Sequence, residues 1–291
     1  MRSLFPILTV VAAIFVIWYA AAVALNTPWA KDQAKRNNVE LSFNELVADT
    51  WSQKKPKLPA PHQVVAEIWK TTGEMVAKGR AFSKRSLIYH SWITLSATML
   101  GFVMGTSFGI LLAIGIVYNR VMDMSVMPWV IASQTIPILA IAPMIIVVLN
   151  AVGISGLLPK AMISMYLSFF PVVVGMVKGL RSPDGMQLDQ MRTWNATSGQ
   201  EFWRLRLPSS MPFLFASLKV AMAASLVGAI VGELPTGAVA GLGARLLAGS
   251  YYGQTIQIWS ALIMAAALAA LLVALIGMIQ KITLRKMGMA Q

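Results

Sequence analysis

Few residues in this 291-residue chain could carry covalent chemistry. It has no cysteine, which removes disulfides and thiol chemistry. Its two histidines, His62 and His90, are too few for a His-rich metal site. Gly105-Thr106-Ser107-Phe108-Gly109 has the letters of a nucleophile elbow, but an elbow needs a strand-to-helix turn and a triad. Here the letters lie in an apolar run, and the spacing of Gly101, Gly105 and Gly109 reads as a seam for close helix packing. Residues 237–249 (GAVAGLGARLLAG) are glycine-rich, yet a dinucleotide fingerprint needs a βαβ unit, and apolar helices are expected on both sides. No Gly-Lys pair exists, so no P-loop can hold ATP phosphates, and any ATP drive must come from a separate chain. The expectation is a non-enzyme with no cofactor and no metal. One ionisable group stands out. Glu233 is the only acidic residue of the last four apolar runs that lies away from the basic links. Such a group at the end of a span reads as functional by default. It would shape a gate or touch substrate, or it would hold the glycine-rich stretch, with Arg245 as its expected partner.

The elements that must position these residues are membrane spans. The chain is 57% hydrophobic and 12% charged, against about 25% charged in a soluble domain. Its apolar residues come in runs of about 20, the length that crosses a bilayer. We expect an all-α polytopic protein with about six spans: residues 4–25, 90–117, 128–150, 159–178, 212–233 and 255–279. Residues 22–24 mimic a signal-peptide cleavage site, but the run before them is long enough to span and reads as a retained helix. Pro137 and Pro143 should bend the third span, and the fourth carries Ser164, Tyr166, Ser168 and Pro171. The organisation expected is a first span (1–25), an external segment (26–87) with an amphipathic helix over residues 63–78, a five-helix core (88–280) and a basic tail (281–291). A net charge of +13 reads as headgroup-flanking Lys and Arg and contact with membrane lipid, with no nucleic acid as partner. Arg2, Arg120, Lys178, Arg181, Arg192, Arg204, Arg206, Lys281, Arg285 and Lys286 then share the cytoplasmic side. The eleven Lys and Arg of residues 26–87 fall outside, in a loop long enough for that rule to weaken.

The longest polar stretch of the C-terminal half is residues 189–208, DQMRTWNATSGQEFWRLRLP, within a link over 181–211. Thr197 with Gln200, or Ser198 with Glu201, forms a capping box before Phe202, Trp203 and Leu205. Asn195 suits a left-handed turn between two short helices. Pro208 and Pro212 are expected to end this unit and open the next span. The stretch reads as a helix–turn–helix offered to a soluble partner, or as a long interfacial loop with none.

This segment resembles the cytoplasmic "EAA" loop of bacterial ABC-importer permeases. Asp189 falls on the Glu, Gln190 and Met191 on the two Ala, Asn195 on the Gly, and Leu205, Leu207 and Pro208 on the closing I-x-L-P. Residues 58–69 (LPAPHQVVAEIW), 136–143 (IPILAIAP) and Glu233 followed by Gly241-Leu242-Gly243 are similar to phrases of the nitrate/taurine/aliphatic-sulfonate permeases. The resemblance covers residues 58–279. It implies an inner-membrane importer of two copies of this chain, two ATPase subunits and a periplasmic substrate-binding protein. It implies ATPase coupling through Asp189, Gln190, Met191, Asn195, Ala196, Thr197, Phe202, Trp203 and Pro208. The residues expected at the gate or substrate path are Pro137, Pro143, Tyr166, Glu233, Gly241 and Gly243. The family handles small anions and small organic nutrients. The spans lack a buried pair of cations for an anion, which favours a neutral or heterocyclic solute. The competing class is a self-sufficient secondary transporter or channel with Glu233 as its ion site.

Overall fold

The computed structural model describes residues 4–38, 40–234 and 240–289. Arg2 and residues 235–239, part of the glycine-rich stretch, lie outside the described residues. No strand occurs among the described residues, and five helices there are long and apolar enough to cross a membrane, six if one bent pair counts as a span. The chain is an all-helical, multi-pass membrane protein.

It divides into two compact units. The first takes residues up to Ser91 together with Ala244–Ala265. Its α1 (Leu4–Arg36) runs eleven residues beyond the first apolar stretch (4–25). Phe5, Leu8, Val16 and Ile17 are exposed along it, as lipid-facing side chains must be. Next come α2 (Phe43–Ser52), α3 (Pro61–Thr71) and the short α4 (Gly73–Ala77), so the expected amphipathic helix is broken at Thr72. Asn26 of α1 is fully buried and organises this region. Its amide donates to the carbonyls of Thr50 (3.1 Å) and Leu58 (2.8 Å), and its Oδ1 accepts from the amides of Lys57 (2.8 Å) and Leu58 (3.2 Å). All the hydrogen-bonding capacity of this buried amide is used, one bond on the end of α2 and three on the proline-rich loop at Lys57 and Leu58. Trp18 Nε1 donates to the carbonyl of Pro59 (3.0 Å), and Thr255 to that of Pro56 (2.5 Å).

The second unit takes Trp92–Gly243 and Ala266–Gln291. It holds most of α5 (Leu87–Tyr118), α6 (Arg120–Ala132), α7 (Ile138–Ala151), α8 (Leu157–Leu180), α9 (Gly185–Thr193), α10 (Ser198–Glu201), α11 (Leu207–Glu233) and the end of α13 (Thr255–Lys286). The third span is not one bent helix as expected: α6 and α7 meet at 102° across a 3₁₀ turn at Ser133–Thr135. Pro137 causes the break, since it forces extended backbone on Ile136 (ψ 122°) and starts α7 anew.

The α5 glycine seam is occupied. A Cβ on Gly101 or Gly105 would fall on Ser164 or Ser168, and one on Gly109 would meet Val172 at 2.9 Å. Both rows advance by four residues, so α5 and α8 run parallel with backbones in close contact, and the elbow-like letters are packing. Helix α11 runs antiparallel to α8, with Gly175 against Ser217, Gly179 against Ser210 and Gly228 against Ser164. Ser164 donates to the carbonyl of Ser225 (2.8 Å), and Ser225 to that of Thr98 (2.8 Å), joining the three helices with buried hydroxyls. Val172, Val173, Met176, Leu180, Ile116 and Ala221 fill the core between them.

Candidate functional site

Three places gather the residues that the sequence singles out, and all lie in the second unit. The first is the polar link. Helix α9 ends in a left-handed turn at Asn195 (φ +53°), where the amide of Asn195 donates to Arg192 (2.8 Å) and that of Ala196 to Met191 (3.0 Å). This is the paired bonding of a Schellman C-cap, so Met191, Asn195 and Ala196 are held together by turn geometry. Thr197 then opens α10. Its amide donates to Gln200 Oε1 (2.9 Å), and its hydroxyl accepts from the amide of Gln200 (3.4 Å). The first of the two expected capping boxes is thus the one used.

Pro208 does not end this unit. The chain runs helically from Ser198 to Glu233, with a π-helical turn at Phe202–Arg206. Proline offers no N–H to the carbonyl of Arg204 and its ring crowds it, so the turn widens and Leu207 bonds back to Phe202 instead. Pro212 is likewise inside α11. Asp189 and Gln190 of α9 are exposed, and Asp189 pairs with Arg192 (3.1 Å). Met186, Trp194 and Trp203 expose most of their surface, an unusual amount of apolar area for a charged link. Phe202 turns inward instead and packs on the bundle core, with its ring on that of Tyr118 (6.0 Å).

Arg206 anchors the link. Its Nε pairs with Glu201 (2.5 Å), and its Nη1 donates to the carbonyl of Leu180 (2.9 Å), capping the end of α8. Its guanidinium also lies over Tyr118, the last residue of α5, at 5.9 Å. Arg181 pairs with Asp123 of α6 (2.8 Å). The link is thereby strapped to the ends of α5, α6 and α8. Sequence reasoning read Arg206 and Arg181 only as topogenic charge, and passed over Met186 and Trp194.

The second place is Glu233, which is fully buried. Its carboxylate accepts from the hydroxyl of Thr94 on α5 (2.9 and 3.0 Å) and from the amide of Gly243 (2.8 Å). Thr94 Oγ1 accepts in turn from the amide of Leu242 (2.9 Å). Glu233 and Thr94 thus satisfy the free N–H groups that open α12 (Leu242–Tyr251), a helix where a loop was expected. Lys160 of α8 donates to the carbonyl of Ala240 (3.4 Å). The Gly-Leu-Gly spelling follows from contact. Gly241 sits at φ +129°, and a Cβ there would land on the Glu233 carboxyl group. The expected partner Arg245 is not needed, because Glu233 is satisfied within its own unit. Arg245 belongs to the first unit; burial lowers its pKa, and nearby Glu67 partly restores it. Thr94 carried no sequence signal, whereas Lys160, a cation in the first turn of a span, did.

The third place is the break between α6 and α7. Tyr166 of α8 donates its phenol to the carbonyl of Ser133, the carbonyl that Pro137 cannot reach for want of an N–H. Tyr166 and Pro137 are thus joined through Ser133. Pro143, inside α7, is not part of that contact.

Comparison with known proteins follows the same lines. Residues 105–289 match the family described as "Binding-protein-dependent transport system inner membrane component". The chain is 31% identical over 170 residues to the formylaminopyrimidine transport permease protein ThiX of Halalkalibacterium halodurans, covering 58% of this chain and 66% of that one. It is 30% identical over 163 residues to a probable ABC transporter permease protein of Haemophilus influenzae, covering 56% and 64%. It is 28% identical over 228 residues to the riboflavin transport system permease protein RibX of Chloroflexus aurantiacus, covering 78% and 80%. The chain thus spans just under two thirds of the length of the first two relatives.

Proposed function

The chain belongs to the family of binding-protein-dependent transport system inner membrane components. On that premise we propose that it is the transmembrane permease subunit of a bacterial ABC importer, a transporter subunit and not an enzyme. Two copies would form the path, two separate ATPase subunits would drive it, and a periplasmic binding protein would deliver the solute in the inner membrane. The observation that carries this reading is the α9–α10 link. It exposes Trp194, Trp203 and Met186 outward and is strapped through Arg206 to the ends of α5 and α8. A partner bound there would pull on two spans at once, as a rigid-body switch between outward- and inward-facing states requires. Asp189, Gln190 and Thr197 would line the docking face, and Met191, Asn195 and Ala196 would hold its turn. At the other end of α8 and α11, Glu233, Thr94, Gly241 and Gly243 form a buried latch that would set the outer gate. Tyr166, Pro137 and Pro143 would shape the path beside it.

The solute we favour is a small heterocyclic organic compound. Two relatives are named for carrying formylaminopyrimidine and riboflavin, and the spans offer Lys160 rather than a pair of buried cations for an anion. The test is reconstitution of the chain in proteoliposomes with the ATPase and binding protein encoded beside it. Uptake should require both partners and ATP. Uptake that persists without ATP and collapses with an ionophore would make the chain a secondary transporter and overturn the proposal.

A further inference from the structure

Residues 61–85 carry features that neither solute transport nor ATPase docking uses. Helix α3 buries Val64 and Thr71 against its own unit, the inner face of an amphipathic helix. Its outer face should then be polar if water covered it. Instead Val65 (63%), Trp69 (66%), Val76 (55%) and Phe82 (67%) stand exposed along α3, α4 and the turn that follows. Between and beside them lie Lys70, Arg80, Lys84 and Arg85, all exposed. Arg80, Lys84 and Arg85 enter none of the ion pairs found among the described residues. The two acidic groups of the stretch are engaged: Glu74 pairs with Lys78 (2.8 Å), and Glu67 neighbours Arg245. The face is therefore aromatic, aliphatic and cationic together.

Hydrogen bonds hold this stretch to the start of α5. Ser86 donates to the carbonyl of Thr71, the last residue of α3 (3.2 Å), and buried His90 bonds through Nε2 to the carbonyl of Lys84 (3.0 Å). Helix α5 has 32 residues, a length of roughly 48 Å against a hydrocarbon core of about 30 Å. The helix is thus long enough to carry its first turn to headgroup level, and α3 and the 80–85 turn are held to that turn. Aromatic side chains partition to that depth, and Lys and Arg there attract anionic headgroups.

We infer that residues 61–85 form an in-plane anchor that inserts Val65, Trp69, Val76 and Phe82 among the lipids of an anionic leaflet, with Lys70, Arg80, Lys84 and Arg85 on its headgroups. An amphipathic surface helix binds in this way, by apolar burial and headgroup attraction together. The anchor gives basic residues of the 26–87 segment a role that topogenic charge does not.

The chain has no cysteine, so spin labels can be placed singly at Val65→Cys and Val76→Cys in the full-length protein, leaving Trp69 and Phe82 in place. In nanodiscs of phosphatidylglycerol and phosphatidylcholine, both labels should collide with oxygen several-fold more, and with a water-soluble nickel chelate several-fold less, than a label at exposed Ser52→Cys. In phosphatidylcholine alone, or with Lys70→Gln, Arg80→Gln, Lys84→Gln and Arg85→Gln combined, both should shift toward water. Nickel accessibility equal to that at Ser52→Cys overturns the inference. So does equal depth in both lipid mixtures, spin–spin broadening from a second copy, or protection that arises only when the soluble binding protein is added.

Discussion

Arg206 donates to the carbonyl oxygen of Leu180 at 2.9 Å, joining the polar link to the terminal carbonyl of α8. Both side chains of its ion pair with Glu201 are mostly buried, at 19% and 23% exposure. A hydrogen bond to a charged group in such a place is worth about 1.5–3 kcal/mol. Arg206→Ala should therefore leave ATP hydrolysis running while uptake per ATP falls steeply. Arg206→Lys should restore little, because it lacks the planar fork that serves Glu201 and Leu180 together. The ratio of solute moved to phosphate released in proteoliposomes is the measurement, and an unchanged ratio in Arg206→Ala would rule out the strap.

The exposed apolar side chains of the link should contact the ATPase. Trp194→Glu and Trp203→Glu should each abolish co-purification of the ATPase subunit and leave membrane insertion intact, since both lie outside the bundle core. Asp189→Lys should weaken docking without harming the fold, because its pair with Arg192 is exposed and worth under about 1 kcal/mol. Phe202→Glu should instead lower the folded yield, because that ring packs inward beside Tyr118.

Asn195 holds φ at +53°. Asn195→Gly should be neutral or slightly stabilising. Asn195→Val should cost about 1–2 kcal/mol from the left-handed conformation, more for a β-branched residue, and should unsettle α9 and α10 together. Thermal unfolding and ATPase binding of the two variants, compared side by side, test the turn. Equal behaviour of Val and Gly there would refute it.

At the buried latch, Glu233→Gln keeps an acceptor for Gly243 and should fold, with transport impaired. Glu233→Ala leaves the Gly243 amide without its acceptor, at about 1–3 kcal/mol. It should lower the melting temperature well below that of Glu233→Gln. Gly241→Ala should resemble Glu233→Ala, since its methyl would displace the carboxyl group. Adding Arg245→Gln to Glu233→Gln should rescue nothing. Recovery of transport in that double variant would restore Arg245 as the partner.

Orientation can be read with single cysteines at exposed positions. An impermeant thiol reagent applied to spheroplasts should label Ser52→Cys and spare Ser198→Cys, placing the docking link in the cytoplasm. The opposite pattern would make the basic count of residues 26–87 the better guide to topology.

Local and one-dimensional features were legible in the sequence itself. The long apolar runs, the left-handed Asn195, the Thr197 capping box and the α5 glycine seam depend on composition, spacing or single-residue backbone preference, and all are found in the structure. What only the tertiary structure decided are the partners across helices. Thr94 meets Glu233 from 139 residues away, Tyr166 takes the carbonyl freed at Pro137, and Arg206 finds Leu180. Proline was the least legible residue, because its effect depends on whether neighbours can absorb the missing hydrogen bond. Pro137 breaks a span, while Pro208 is accommodated by a widened turn and Pro212 sits within α11. A sequence states which groups need satisfying; the packing of α5, α8 and α11 settles which groups satisfy them, because buried polar atoms bond to whatever the fold brings within reach.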